Sequence, residues 1–159
     1  MTSGAIEDIR REPMRWLLYG AYGYTGRLIA RRAVDEGCPP VIGGRDPERA
    51  ADLGRELDLE HRSFSLDRPR DAGAALADVD LVLNAAGPFS RTFAPMAGAC
   101  IARDAHYLDV TGEIPVFEAA HSLDERAREA GVLLLPGVGL DVVPTDCMAV
   151  RAARRVEGA

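Results

Sequence analysis

The sequence predicts a doubly wound α/β fold: one parallel six-stranded sheet with helices on both faces, in strand order 3-2-1-4-5-6. Three observations predict it. Short apolar runs alternate with helix-length amphipathic stretches along the chain after residue 13. The run Val79–Ala85 is nearly all apolar, as a parallel strand buried on both faces should be. A glycine turn, Gly20 to Gly26, joins the first apolar run to the first helical one.

The elements follow in order. Arg15–Tyr19 is the first strand, and Tyr24–Glu36 is a helix ended by Gly37. Pro40–Gly44 is the second strand. Asp46-Pro47-Glu48 starts a helix that runs to about Leu57, with an Asp N-cap and Pro at the first helical position. Arg62–Leu66 is the third strand and Arg68–Leu76 a short helix. After the fourth strand, Gly87-Pro88 breaks the run. Thr92–Arg103 is a helix that holds Pro95 in its first turn, where the missing N–H costs least. His106–Val110 is the fifth strand. Pro115–Ala130 reads as the longest helix, Val132–Leu135 as the sixth strand and Thr145–Val156 as the last helix. In such a sheet ligands bind beyond the carboxyl ends of the strands, where the strand order reverses.

The 159 residues, 47% hydrophobic and 28% charged, suit one globular domain over residues 14–159, with residues 1–13 as a loose, flexible tail. A net charge of −6 gives no general attraction to nucleic acid or to membrane surfaces. The tail has no signal-peptide pattern, and no run reaches the ~18–20 apolar residues that would span a bilayer. Every one of the 19 basic residues is Arg, which excludes a P-loop lysine and any Schiff-base lysine. Cys38, Cys100 and Cys147 match no metal or redox spacing, so no metal site is expected. They read as small buried apolar residues in a reducing cytoplasm.

The glycine turn is G-x-x-G-x-x-G, placed as a dinucleotide pyrophosphate site of the Rossmann type requires. Gly23 lets backbone approach a phosphate, and Gly26 lets helix and strand pack closely. The helix N-terminus adds free N–H groups and a partial positive charge. NAD-selective domains carry an acid at the end of the second strand. Here Gly43-Gly44-Arg45 stands in that place, and Arg45 can pair with a 2′-phosphate and lie on adenine. Arg49, one turn on, backs it up. Asp46 is better explained as an N-cap than as a ribose ligand. NADP(H) is therefore the expected cofactor. Asp67 reads equally as an adenine ligand or a helix cap. Ala85-Ala86-Gly87-Pro88 is small enough for a cofactor to lie against backbone, and Asn84 reads as a strand-end residue bonding local backbone.

These motifs together resemble a known family. L-Y-G-A-Y-G-Y-T-G, G-G-R, L-V-L-N-A-A-G-P-F, H-Y-L-D-V-T-G-E and L-P-G-V-G-L-D-V-V-P-T-D are similar to the cofactor domain of saccharopine-dehydrogenase-like oxidoreductases. The branch is close to trans-acting enoyl reductases and saccharopine dehydrogenase-like oxidoreductases. The resemblance implies NADP(H) bound by Gly20, Gly23, Tyr24, Thr25 and Gly26, by Arg45, and by the loop Ala86, Gly87, Pro88 and Phe89. It places the family's D-x-[ST]-G-E at Asp109, Thr111, Gly112 and Glu113. Tyr22 replaces a more usual small residue and is expected to crowd the turn. Family enzymes continue into a substrate domain, whereas this chain stops at Ala159. The resemblance therefore implies cofactor binding here, with the substrate domain absent.

The implied chemistry is hydride transfer to or from a C=C, C=N or C=O bond. The short-chain-dehydrogenase pair Tyr-x-x-x-Lys is excluded. Asp141 and Glu113 are the candidate acid–base residues, with Asp109 and Asp146 nearby. Each has a structural role open to it: Asp109 bracing its turn, Glu113 capping the next helix, Thr145 or Asp146 capping the last. The alternative is an NADP-sensing or interaction module with no chemistry. Val142, Val143, Met148, Val150 and Val156 form an apolar stripe, part of which should cover the sheet. The rest marks a homodimer contact or the seat of a substrate domain, unless the helix simply completes the core.

Overall fold

The computed structural model describes residues 14–156; the tail expected over residues 1–13 lies outside them. In chain order the elements are β1 (Trp16–Tyr19), α1 (Tyr24–Asp35), β2 (Val41–Gly44), α2 (Pro47–Leu57), β3 (His61–Ser63) and α3 (Pro69–Ala75). There follow β4 (Leu81–Asn84), α4 (Phe89–Ile101), β5 (His106–Asp109), α5 (Ile114–Ser122), α6 (Asp124–Glu129), β6 (Leu134–Leu135) and α7 (Val143–Ala153). The strands form one parallel sheet in the expected order β3-β2-β1-β4-β5-β6.

Side-chain alternation along β1 divides the core. Leu17 and Tyr19 join the larger cluster on one face, with Val82, Phe93, Met96, Cys100, Tyr107 and Val116 from the β4–α5 half. Leu18 points the other way, to Ala30, Ile42, Ala50 and Leu53 under α1 and α2. Burying both faces is what lets the central strands be apolar throughout.

Four expectations are corrected. The long helix over 115–130 is two helices, α5 and α6, parted at Leu123. Ser122 Oγ donates back to the Ala119 carbonyl at 2.7 Å, a bond that competes with the helical ladder. Asp124 and Glu125 then supply acids to a fresh first turn. Second, α4 begins at Phe89, so Pro95 sits in the second turn. The carbonyl it leaves unpaired belongs to Arg91, an exposed residue, where water can serve it. Third, α7 buries no residue: Met148 is 70% exposed and Val150 50%, so the stripe neither covers the sheet nor completes the core. Fourth, only Cys100 is the buried cysteine expected, and burial pushes its thiol up to about 12. Cys38 and Cys147 are exposed.

Candidate functional site

Strand order reverses between β1 and β4, and three helices start close to the carboxyl ends of β1, β2 and β4. Their N-termini differ. At α2, Asp46 Oδ1 accepts from the Glu48 and Arg49 N–H groups, both at 3.1 Å, as the sequence led one to expect. At α4, Glu113 reaches in from the loop after β5. Its carboxylate accepts from the Phe89 N–H at 2.8 Å and the Ser90 N–H at 3.0 Å. At α1 the N-cap is Gly23, with no side-chain cap and no acid in the first turn. The positive end of α1 thus carries no capping side chain and no first-turn acid, the arrangement that suits an anion.

The three fingerprint glycines divide by what a Cβ would meet. At Gly20, where φ is +79°, it would lie 2.8 Å from the Ala86 Cβ; at Gly26, 2.7 Å from the Ala21 Cα. Both glycines serve close packing. At Gly23 the only neighbour is the Gly20 carbonyl oxygen, 3.2 Å away. Gly23 therefore keeps open a space that a side chain would fill, and the turn fits a pyrophosphate. Tyr24 (84% exposed) and Thr25 stand on the first turn of α1. Across from them, Ala86 is half-buried, and Gly87 and Pro88, joined by a cis peptide bond, are exposed. Asn84 holds this loop: its Oδ1 accepts from the Ala86 N–H at 3.0 Å, and its Nδ2 donates to Thr92 Oγ1 and to the Tyr107 hydroxyl.

At the end of β2, Arg45 is exposed and has no carboxylate partner among the described residues. Tyr22 does not crowd the turn; its ring lies against Gly44, and its hydroxyl accepts from the Asp46 N–H at 3.0 Å. Asp67 is exposed and accepts from Ser65 Oγ at 3.1 Å. It does not cap α3, whose N-cap is Arg68. Tyr19 shares this field: burial, then Tyr22, pushes its phenol up to about 12, while Arg45 pulls it down.

The far loops are tied to a buried carboxylate. Asp109, fully buried, accepts from the Tyr107 hydroxyl at 2.6 Å and from the Thr111 and Gly137 N–H groups, each at 2.9 Å. It braces its turn, as expected. Tyr107 is pushed well above the usual phenol range by burial, then by Asp109. Glu113 caps α4, the helix before it, rather than the helix that follows. Hydrogen bonds from Ser90 and the Phe89 N–H hold its carboxyl below the usual range, the state of an acceptor rather than a proton donor. Neither Thr145 nor Asp146 caps α7, whose N-cap is Val142 without a side-chain bond. Asp141 is exposed and lies over two glycines; a Cβ at Gly112 would come 3.4 Å from its Oδ2, and one at Gly139 2.9 Å from its Oδ1. Its carboxylate has no hydrogen-bond partner among the described residues.

Comparison with known proteins agrees with this geometry. Residues 16–135 match the family model described as the saccharopine dehydrogenase NADP binding domain. A human saccharopine dehydrogenase-like oxidoreductase is 26% identical over 168 residues, which cover 93% of this chain and 39% of that protein. A trans-acting enoyl reductase from Mycobacterium tuberculosis is 28% identical over 149 residues, 87% of this chain and 35% of the relative. The chain thus spans under two-fifths of these relatives. Among solved structures, apo saccharopine dehydrogenase (L-Glu forming) from Saccharomyces cerevisiae superposes with a TM-score of 0.69 at 18% identity, over 90% of this chain and 31% of that one. Citrobacter sp. triphenylmethane reductase complexed with NADP(H) gives 0.58 at 18% identity, over 73% and 46%. Fold, turn and family model agree, and the chain belongs to the saccharopine dehydrogenase NADP-binding domain family, whose cofactor is NADP(H).

Proposed function

We propose that this chain is the cofactor-holding part of an NADP(H)-dependent oxidoreductase that moves hydride to or from a C=C, C=N or C=O bond. The observation that carries the reading is the N-terminus of α1. Alone of the three helices at the strand ends it has no carboxylate cap, and Gly23 beside it leaves room for a ligand. Gly20, Tyr24, Thr25 and Gly26 complete the pyrophosphate turn. Ala86, Gly87 and Pro88 form the opposite wall. Arg45 takes the 2′-phosphate, and Asp67 stands on the adenine side. The nicotinamide supplies the hydride chemistry; the chain supplies position and charge. Of the four carboxyl groups considered for proton transfer, Asp109 is committed to Tyr107 and backbone and Glu113 to backbone, which leaves Asp141, with Asp146 behind it on α7. The same commitment supports a second reading, a module that senses NADP(H) without chemistry.

The exposed face of α7 supports a covering partner, either a second copy or a further domain such as the longer relatives carry. The two exposed thiols suit a reducing cytoplasm. Calorimetric titration should show NADPH binding and weaker NADH binding; no binding of either refutes the reading. Sedimentation of the chain at micromolar concentration should show a dimer that Met148→Glu dissociates; a monomer assigns the face to a further domain.

A further inference from the structure

Two arginines with no carboxylate partner stand at the end of β2, and one of them is held by an aromatic ring. The Arg49 guanidinium carbon lies 4.6 Å from the centre of the Tyr22 ring, and Arg49 Nη2 donates to the Tyr22 carbonyl at 3.3 Å. The ring is itself fixed. It lies against Gly44, where an added Cβ would come 2.8 Å from Tyr22 Cζ, and its hydroxyl accepts from the Asp46 N–H. Asp46, which follows Arg45, has its carboxylate bonded to the N–H groups of Glu48 and Arg49 and pairs with neither guanidinium. Other arginines, such as Arg15, Arg27 and Arg62, meet an Asp or Glu, and among the described arginines that do not, Arg49 is the one whose guanidinium lies over an aromatic ring.

We propose that Arg49 is the second ligand of the adenosine 2′-phosphate and that Tyr22 is its positioning residue, holding its guanidinium beside Arg45. The inference rests on the reading that the pyrophosphate lies at α1. The Tyr22 ring links the two phosphate subsites. Its backbone lies between Gly20 and Gly23, and its ring reaches the arginine loop. A phosphate monoester carries close to two negative charges at neutral pH, so two guanidinium groups match it where one leaves it half-neutralised. NADH, with a 2′-hydroxyl, gains nothing from the second.

The test is titration of the intact chain and of Arg49→Gln, Tyr22→Thr and Tyr22→Phe with NADPH, NADH and adenosine 2′,5′-bisphosphate. Arg49→Gln should weaken NADPH and the bisphosphate by about tenfold, the worth of one charge-assisted bond, with NADH changed less than about twofold. Tyr22→Thr should give about a fivefold loss in the same direction, since the arginine remains but loses its plate. Tyr22→Phe keeps the ring and should restore most of the affinity. Arg49 is exposed, so its variant tests the idea without touching the core. A full NADPH preference kept by Arg49→Gln and Tyr22→Thr overturns this inference alone. Equal losses for NADPH and NADH in Tyr22→Thr make Tyr22 a turn residue and overturn it too. A parent chain that binds both cofactors alike, or neither, overturns the Arg45 reading and this inference together.

Discussion

The two ends of the sheet use arginine in opposite ways. At the amino end, Arg15 and Arg62 are enclosed by acids. Arg15 pairs with Glu60 and with Asp78 at 3.1 Å, and Arg62 pairs with Glu60 at 2.7 Å and with Asp78 at 2.5 Å. The Arg15 N–H adds a bond to Asp80 at 2.7 Å. Here charge ties the starts of β1, β3 and β4 together and is spent. At the carboxyl end, Arg45 and Arg49 meet no acid, and α1 begins without a cap. A residue type does not tell these ends apart; its partners do. What sets Arg45 and Arg49 apart from other arginines without an acid partner is their place, at the strand end near the uncapped start of α1.

The sharpest test of that contrast is Gly23→Val. It should abolish NADPH binding while the far-UV spectrum stays helical, because the one close contact of the new Cβ is the Gly20 carbonyl oxygen at 3.2 Å and no core residue is touched. Gly26→Val, three residues on, should disturb the fold itself, since its Cβ meets the Ala21 backbone. If both variants fold and bind alike, the division between ligand glycine and packing glycine fails. Arg45→Ala comes next: it should cost NADPH about 1.5–3 kcal/mol in calorimetry and leave NADH nearly unchanged. At the other end, Arg62→Met should lower thermal stability by about 1–2 kcal/mol, between a surface and a buried pair, and leave NADPH affinity as it was. A change in affinity there would break the comparison.

The smallest effect is acid sensitivity. The hydrogen bond from Arg62, against a smaller desolvation cost, holds Asp78 at about 2, below its ordinary 3.8. A depressed carboxyl stabilises the fold fully above the unfolded value. That contribution fades as pH falls from about 4 through 2, because the unfolded chain takes the proton first. Glu60, also held low by its bonds to Arg62 and Arg15, acts in the same sense. The group is mostly exposed, so the loss should stay under about 1 kcal/mol after solvent screening. Melting temperatures followed from pH 5 to 2 should fall less steeply in Asp78→Asn; equal slopes assign the acid effect elsewhere.

Much of this was legible in the residues. Alternating apolar runs gave strand order, since a buried parallel sheet needs a helical crossover between strands. The Asp46-Pro47 start and the glycine turn are local, and local chemistry is written in adjacent letters. What the letters hid was long-range or shared one symbol. Glu113 caps a helix 24 residues before it. Gly20, Gly23 and Gly26 look alike until their neighbours are placed. The break at Leu123 had a faint signal, Ser122-Leu123-Asp124-Glu125, which can be read as a helix restart inside an otherwise continuous pattern. The α7 stripe was visible, but apolar periodicity does not say whether the covering surface belongs to the same chain.

The buried Asp109 has a mechanical consequence. One carboxylate clasps the amides of Thr111 and Gly137, so the loops after β5 and β6 form a single stiff plate. Neither can swing without breaking a bond to a fully buried side chain. Gly139 and Asp141 lie against the same plate, close to Val110 and Gly112, whereas α7 buries none of its residues on it. Two strand-end loops far apart in the chain thus share one anchor point, and a change at Asp109 would loosen both at once.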